Sequence, residues 1–217
     1  MRLFRLDASI RIEGSASRAL GDVVEAEWLK GDADGSVVRR HVGTEPVPAT
    51  AWASAVGGSM TAAADRTTDQ VAAAELAAVD VDAMIEADAL LFAVPLYNFG
   101  VSQHFKAWVD LMITDPRMGP GAEPVLAGKP AVLATVLGGN YSAGTPREGW
   151  DHSTDWMKRV LQDVWGLDLR IVKREFTLVG VNPALDQFTD MARDLHVSAE
   201  EQARDHGRFL ASVRATA

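Results

Sequence analysis

An open α/β sheet wound on both faces is the fold class this sequence predicts. Three observations predict it: strand-like and helix-like segments alternate about five times each, two continuous apolar runs have strand length, and the chain is the size of one such unit. The runs are Ala89-Leu90-Leu91-Phe92-Ala93-Val94 and Ala131 to Leu137, and uninterrupted hydrophobicity over so few residues is the mark of a parallel strand covered on both sides. With 217 residues, one domain spanning 1–217 with an irregular insertion around 44–65 is the expected organisation.

The elements follow in order. Leu3, Leu6 and Ala8, with Arg2, Arg5 and Asp7 between or beside them, give an opening strand. A polar run from Ser9 to Ser17 leads to a helix over Arg18 to Trp28, a turn at Lys30 to Gly35, and a less buried strand over Ser36 to Val42. Thr44 to Asp65, with Pro46, Pro48 and Gly57-Gly58, has no clear period and reads as a long loop. Ala-rich Thr67 to Ala87 favours a helix. Val101, Phe105, Trp108, Val109 and Met112 form one apolar helical stripe. Ser153 to Trp165 reads as a helix, Leu167 to Val181 as a strand region and Ala199 to Val213 as a terminal helix.

Composition removes several function classes. Hydrophobic residues make up 47% and charged residues 24%, enough for a sizeable core, while the net charge of −9 repels nucleic acid and anionic membranes. No cysteine is present, which excludes thiolate nucleophiles, CxxC pairs and Cys-ligated metals, so any redox role needs a bound cofactor. The N-terminal residues carry too many charges for a secretory core and no apolar stretch approaches a membrane span, so a cytoplasmic protein is expected. The five histidines are scattered without an HExxH arrangement, and no metal site is expected. No GxGxxG follows the first strand, Gly121 to Gly128-Lys129 has the wrong spacing for a P-loop, and no GxSxG occurs. The six tryptophans fall mostly at helical spacing, with Trp52 and Trp150 in loop-like surroundings.

In sheets of this class ligands sit beyond the carboxyl ends of the strands, which singles out three loops. The first, Asp7 to Arg18, opens a helix with Ser9, Ser15, Ser17, Gly14 and two arginines. A helix N-terminus with hydroxyls beside it suits a phosphate, although Ser15 or Ser17 equally serves as a helix cap. The second, Pro95-Leu96-Tyr97-Asn98-Phe99-Gly100-Val101-Ser102, offers apolar faces and amide donors to a flat aromatic ligand, or a turn with its aromatics in the core. The third, Val136-Leu137-Gly138-Gly139-Asn140-Tyr141-Ser142, lets backbone approach a ligand edge at its glycines.

Asp7-Ala8-Ser9 with Ser15-Ala16-Ser17, then Val94-Pro95-Leu96-Tyr97-Asn98-Phe99 running into Lys106-Ala107-Trp108-Val109-Asp110-Leu111, resembles the FMN-dependent NADH-azoreductase and NAD(P)H quinone reductase family. That resemblance implies a flavodoxin-like sheet of five parallel strands in the order 2-1-3-4-5. It implies FMN as cofactor and NAD(P)H as electron donor. Ser9, Ser15, Ala16 and Ser17 would hold the phosphate; Pro95, Leu96, Tyr97, Asn98, Phe99, Val136, Gly138 and Gly139 would line the ring. Tyr97 and Asn98 would act on the reacting ring. The implied activity is ping-pong hydride transfer through FMN to quinones or related electrophilic aromatics, azo compounds among the candidate acceptors. A homodimer is the implied assembly, with the Thr44 to Asp65 segment and the region around Trp150 covering the partner's flavin edge. A flavodoxin-type electron carrier without substrate turnover is the alternative.

Overall fold

The computed structural model describes residues 1–119 and 121–212. Its strands are β1 (Arg2–Asp7), β2 (Ser36–Arg40), β3 (Ala89–Tyr97), β4 (Gly100–Val101), β5 (Pro130–Val136) and β6 (Asp168–Arg174). Its helices are α1 (Ala16–Gly31), α2 (Ala51–Ser59), α3 (Thr68–Glu86), α4 (Gln103–Met112), α5 (Thr154–Lys158) and α6 (Thr189–Ser212). Five parallel strands lie in the order β2-β1-β3-β5-β6, the expected winding, and the two-residue β4 folds back antiparallel on β3.

The period-2 alternation of side chains splits the core into two layers. Leu90, Phe92 and Val94 of β3 and Phe4 and Leu6 of β1 face α3, α4 and the segment after α5. Leu3, Leu91, Val132 and Ala134 face α1 and α6. β3 and β5 are buried along nearly their whole length, as their continuous apolar runs require. Since β1 leads into α1 on one face and β3 into α4 on the other, a crevice opens at the carboxyl ends of these adjacent strands.

Three expectations are corrected. Thr44 to Asp65 is not irregular: Ala51–Ser59 is helical and Ala63–Asp65 forms a single 3-10 turn. The helix is set by packing rather than by pattern, because Ala51, Ala55 and Gly58 are the small residues that let it lie close to α3. The region after Leu167 is strand only over Asp168–Arg174, followed by turns and a 3-10 segment over Pro183–Phe188. The terminal helix starts ten residues earlier than expected, at Thr189; its first turns are mostly exposed, with a short row of Met191, Leu195 and Ala199 set among charged residues, and Val213 lies outside the described residues. The expected helix over Ser153 to Trp165 is α5 continued by a π-helical turn, Arg159–Val164.

Trp108 sits at the centre of the larger layer. Its ring lies 5.8 Å from both Phe105 and Trp165 and 6.3 to 6.4 Å from Phe92 and Phe4. Its indole N–H donates to the Asp80 carboxylate at 2.8 Å, which also accepts from Arg40 Nε at 3.1 Å. Trp108→Ala removes the shared ring and is expected to cost about 3 to 5 kcal/mol, read as a fall in the urea midpoint at unchanged slope.

Candidate active site

The first loop is built over a buried chain of charges. Asp7, at the end of β1, is 1% exposed and lies 3.0 Å from Arg5 and 3.6 Å from Arg18. Arg5 also meets Asp22 at 2.6 Å and Glu25 at 3.0 Å. Burial opposes the charge on Arg5, but Asp7 and Asp22 outweigh it and hold the guanidinium above its ordinary range. Arg18 then supports the loop from beneath: Nε donates to the Arg11 carbonyl at 2.9 Å and Nη2 to the Ser9 carbonyl at 3.3 Å. His41 Nδ1 stands 2.9 Å from Arg18 Nη1.

Above this support α1 begins. Ser15 is its N-cap, its Oγ accepting from the Arg18 amide at 3.3 Å. Ser17 therefore does no capping; its hydroxyl lies 3.4 Å from Ser15 Oγ. The amides of Ala16 and Ser17 find no acceptor among the described residues, so the helix presents unpaired donors into the crevice.

The second loop is a two-residue hairpin turn joining β3 to β4. Tyr97 pairs with Gly100, and both residues between them have positive φ, Asn98 at 49° and Phe99 at 67°. Such a turn is natural for Asn and strained for Phe. The strain sets the Phe99 ring at the cleft edge, 5.4 Å from Trp150 and 6.5 Å from Tyr141. The Tyr97 hydroxyl lies 3.3 Å from Ser9 Oγ and accepts from the Ile10 amide at 3.3 Å, and Ser102 Oγ donates to the Ala8 carbonyl. The first two loops are thereby fixed to each other. The Asn98 side chain is exposed and makes no hydrogen bond among the described residues.

The third loop runs beside residues 176–178. Gly138 and Gly139 carbonyls accept from Leu178 and Phe176 amides at 3.2 Å, and Glu175 accepts from the Tyr141 amide and the Ser142 hydroxyl. A Cβ on Gly138 would stand 2.6 Å from Leu178 Cδ1, so the close approach that requires glycine there is made by a protein neighbour. Farther along, Asp151 fixes the segment carrying Trp150. Burial alone would raise its carboxyl, but hydrogen bonds from Thr154 and Ser153, with Lys173 nearby, hold it below the ordinary range.

These loops enclose one cleft of about 390 Å³. Ser9, Ser15, Ala16, Ser17, Pro95, Leu96, Tyr97, Asn98, Phe99, Val136 and Gly138 all line it, while Gly139 faces a neighbouring hollow. Trp52, read as a loop residue, lies on α2 and is half exposed. Of the other lining residues, Ile10 and Arg11 fall in the first loop and Tyr141 in the third without having been assigned a role, while Arg147, Thr177 and Leu178 lie outside the three loops and were missed. Tyr141 stands two residues after the glycine pair, and Arg147 is the single cation between Gly138 and Trp150, so both had a local signal. Thr177 and Leu178 had none, because backbone pairing beyond β6 brings them there.

The cleft thus offers an anion cradle at one end and an aromatic edge at the other. Residues 1–195 match the model of a family described as having a flavodoxin-like fold. The FMN-dependent NADH:quinone oxidoreductase of Frankia alni is 36% identical over 204 residues, covering 93% of this chain and 96% of that protein. The chain belongs to this flavodoxin-like oxidoreductase family. A second member, the FMN-dependent NADH:quinone oxidoreductase of Xanthobacter autotrophicus, is 38% identical over 175 residues, 78% of this chain and 83% of that one. The fold is also that of an FMN-dependent NADH-azoreductase from Bacillus anthracis solved in complex with FMN, with a TM-score of 0.73 at 14% identity over 95% of this chain and 100% of that one. No described helix is long and apolar enough to cross a membrane.

For this family member the charge chain under the first loop is open to a direct test. Asp7→Ala takes away the carboxylate that Arg5 and Arg18 share and leaves buried guanidinium groups short of a partner. The expected loss is about 3 to 5 kcal/mol of stability, measured by urea denaturation, where an exposed pair would cost under about 1 kcal/mol.

Proposed function

We propose that this protein is an FMN-dependent NADH:quinone oxidoreductase. The observation that supports the reading most strongly is the single cleft in which a phosphate-sized cradle and a planar apolar slot lie end to end. The residues fit FMN on the chemistry of the donor set: unpaired amides of Ala16 and Ser17 with the hydroxyls of Ser9, Ser15 and Ser17 suit one phosphate, and the described cleft carries no second cradle for the pyrophosphate of FAD. Pro95, Leu96, Tyr97, Phe99, Val136 and Gly138 would lie along the ring.

The chemistry FMN supplies when bound is two-electron transfer, as hydride, between NADH and a quinone. What the chain supplies is placement. The Tyr97 hydroxyl, engaged by Ser9 and Ile10, locks the phosphate loop to the ring loop. Asn98, without a side-chain hydrogen bond among the described residues, would donate its amide to a heteroatom at the ring edge. Phe99, Tyr141 and Trp150 would exclude water from the outer face and leave room for one flat partner at a time. Donor and acceptor would then use the same face in turn, with NADH oxidation and quinone reduction giving parallel reciprocal plots. Intersecting plots would mean that both partners bind together and would overturn the shared face.

The hydroxyl of Ser17 separates this reading from a purely structural first loop. A hydrogen bond to a charged group is worth about 1.5 to 3 kcal/mol, so Ser17→Ala is expected to weaken FMN by roughly 10- to 150-fold and leave riboflavin, which lacks the phosphate, nearly unchanged. Equal loss for both flavins in a titration would remove Ser17 from the phosphate site.

The protein is further proposed to work as a homodimer. Trp52, Val56 and Met60 on and just after α2, and Ile10, Ile12 and Trp150 around the cleft, are exposed apolar side chains that a second copy would cover. Light scattering is expected to give twice the chain mass of 23.3 kDa. A monomer with full activity would refute a site shared between copies.

A further inference from the structure

Arg147 stands between two spaces. On one side it lines the cleft with Gly138 and Tyr141. On the other it borders a second hollow of about 250 Å³, walled by Pro146, Phe176, Leu185, Phe188 and Met191. That wall is hydrocarbon and aromatic, with Phe176 and Phe188 stacked 5.0 Å apart at 24°. The guanidinium packs close over Gly139, where a Cβ would lie 3.1 Å from Arg147 Nη1 and the side chain would have to shift slightly. Among the described residues the guanidinium hydrogen-bonds only to the Tyr141 hydroxyl, at 3.4 Å, with the Tyr141 ring centroid at 5.7 Å, and no carboxylate pairs with it.

A cation with free donors at the mouth of an aromatic cleft, backed by an apolar hollow, matches a ligand with a ring oxygen and a hydrocarbon substituent side by side. We propose that Arg147 and this hollow form an acceptor subsite: Arg147 donates to a carbonyl oxygen of a quinone lying in the cleft, and a short isoprenyl or alkyl chain on that quinone fills the hollow. The hollow is several times the roughly 30 Å³ share of one water, room for a chain of several carbons. This inference rests on the quinone reductase reading and narrows its substrate to quinones carrying an apolar chain.

The test compares dimethoxymethylbenzoquinone with the same ring carrying one isoprenyl unit. Binding of each to the FMN-loaded protein is measured by isothermal titration calorimetry without NADH, so that no turnover is needed. One methylene in an apolar pocket is worth about tenfold or more, so the chain-bearing ring is expected to bind at least about tenfold tighter. Met191 is half exposed at the rim, outside the cleft, and Met191→Trp fills the hollow. That variant is expected to bring the two dissociation constants together while the chainless ring binds as before. Arg147→Leu is expected to weaken both rings. Equal binding of the two quinones by the unsubstituted protein overturns the subsite, as does a chain preference that survives Met191→Trp. So does equal binding with a changed molecular mass in Met191→Trp, which would make the hollow a contact between copies. NADH-dependent turnover is scored separately: a chain preference in binding with neither quinone reduced supports the subsite and defeats the reductase reading.

Discussion

The site depends on one buried carboxylate. Asp7 ends the strand that every neighbouring loop is measured from, and it is surrounded by Arg5, Arg18 and His41. Removing these charges from water is costly, and mutual attraction offsets that only when geometry is good and remaining donors are used. Here Arg18 uses its remaining donors on the carbonyls of Ser9 and Arg11. The ion pair is therefore also a brace, since moving the loop by an ångström breaks hydrogen bonds to a buried guanidinium. A loop carrying unpaired helix-terminal amides needs that brace, because nothing else in the described residues accepts from Ala16 or Ser17. Preorganised donors bind an anion without having to reorganise first.

Strain at the second loop has the opposite character. Phe99 at φ 67° sits in a region that bulky residues avoid, and such conformations persist only where neighbours over-determine them. Those neighbours are the β4 pairing below, the hydrogen bond from the His152 amide to the Phe99 carbonyl, and the edge-on ring of Trp150. One consequence is that the 140–153 segment and the hairpin position each other. The aromatic rim is then a property of two loops far apart in sequence, and Asp151, by ordering the start of α5, holds it from the outside.

What could be read from the sequence divides along the same line. The buried strands, the helix after the first loop and the place of that loop's serines in the cleft were legible because local pattern and final environment agree. The charges of β1 were not: Arg5 and Asp7 interrupt an apolar strand and look like solvent-facing positions, yet both are buried because each supplies the other's partner. α2 was hidden for a related reason, since Gly58 is a poor helix former chosen for contact with Gln70 on α3. Thr177 and Leu178 reach the cleft only through pairing with Leu137 and Gly138, a relation no window of sequence contains. Gly139 was legible as a glycine open to close approach, but what lies against it is the Arg147 side chain and the neighbouring hollow.

Charge adds a final constraint on what the cleft can admit. The chain carries a net charge of −9, yet a dinucleotide donor is itself an anion. At physiological salt, fields are screened over about 8 Å, so the net charge acts weakly on a ligand already at the cleft mouth. The charged side chains that line the cleft are Arg11 at the cradle and Arg147 at the aromatic edge, while Arg18 lies under the loop and is compensated by Asp7. An acidic protein can therefore receive anionic partners through a locally positive opening. Arg11 lies at the cradle end, where a phosphate would already be held, whereas Arg147 borders the open aromatic face.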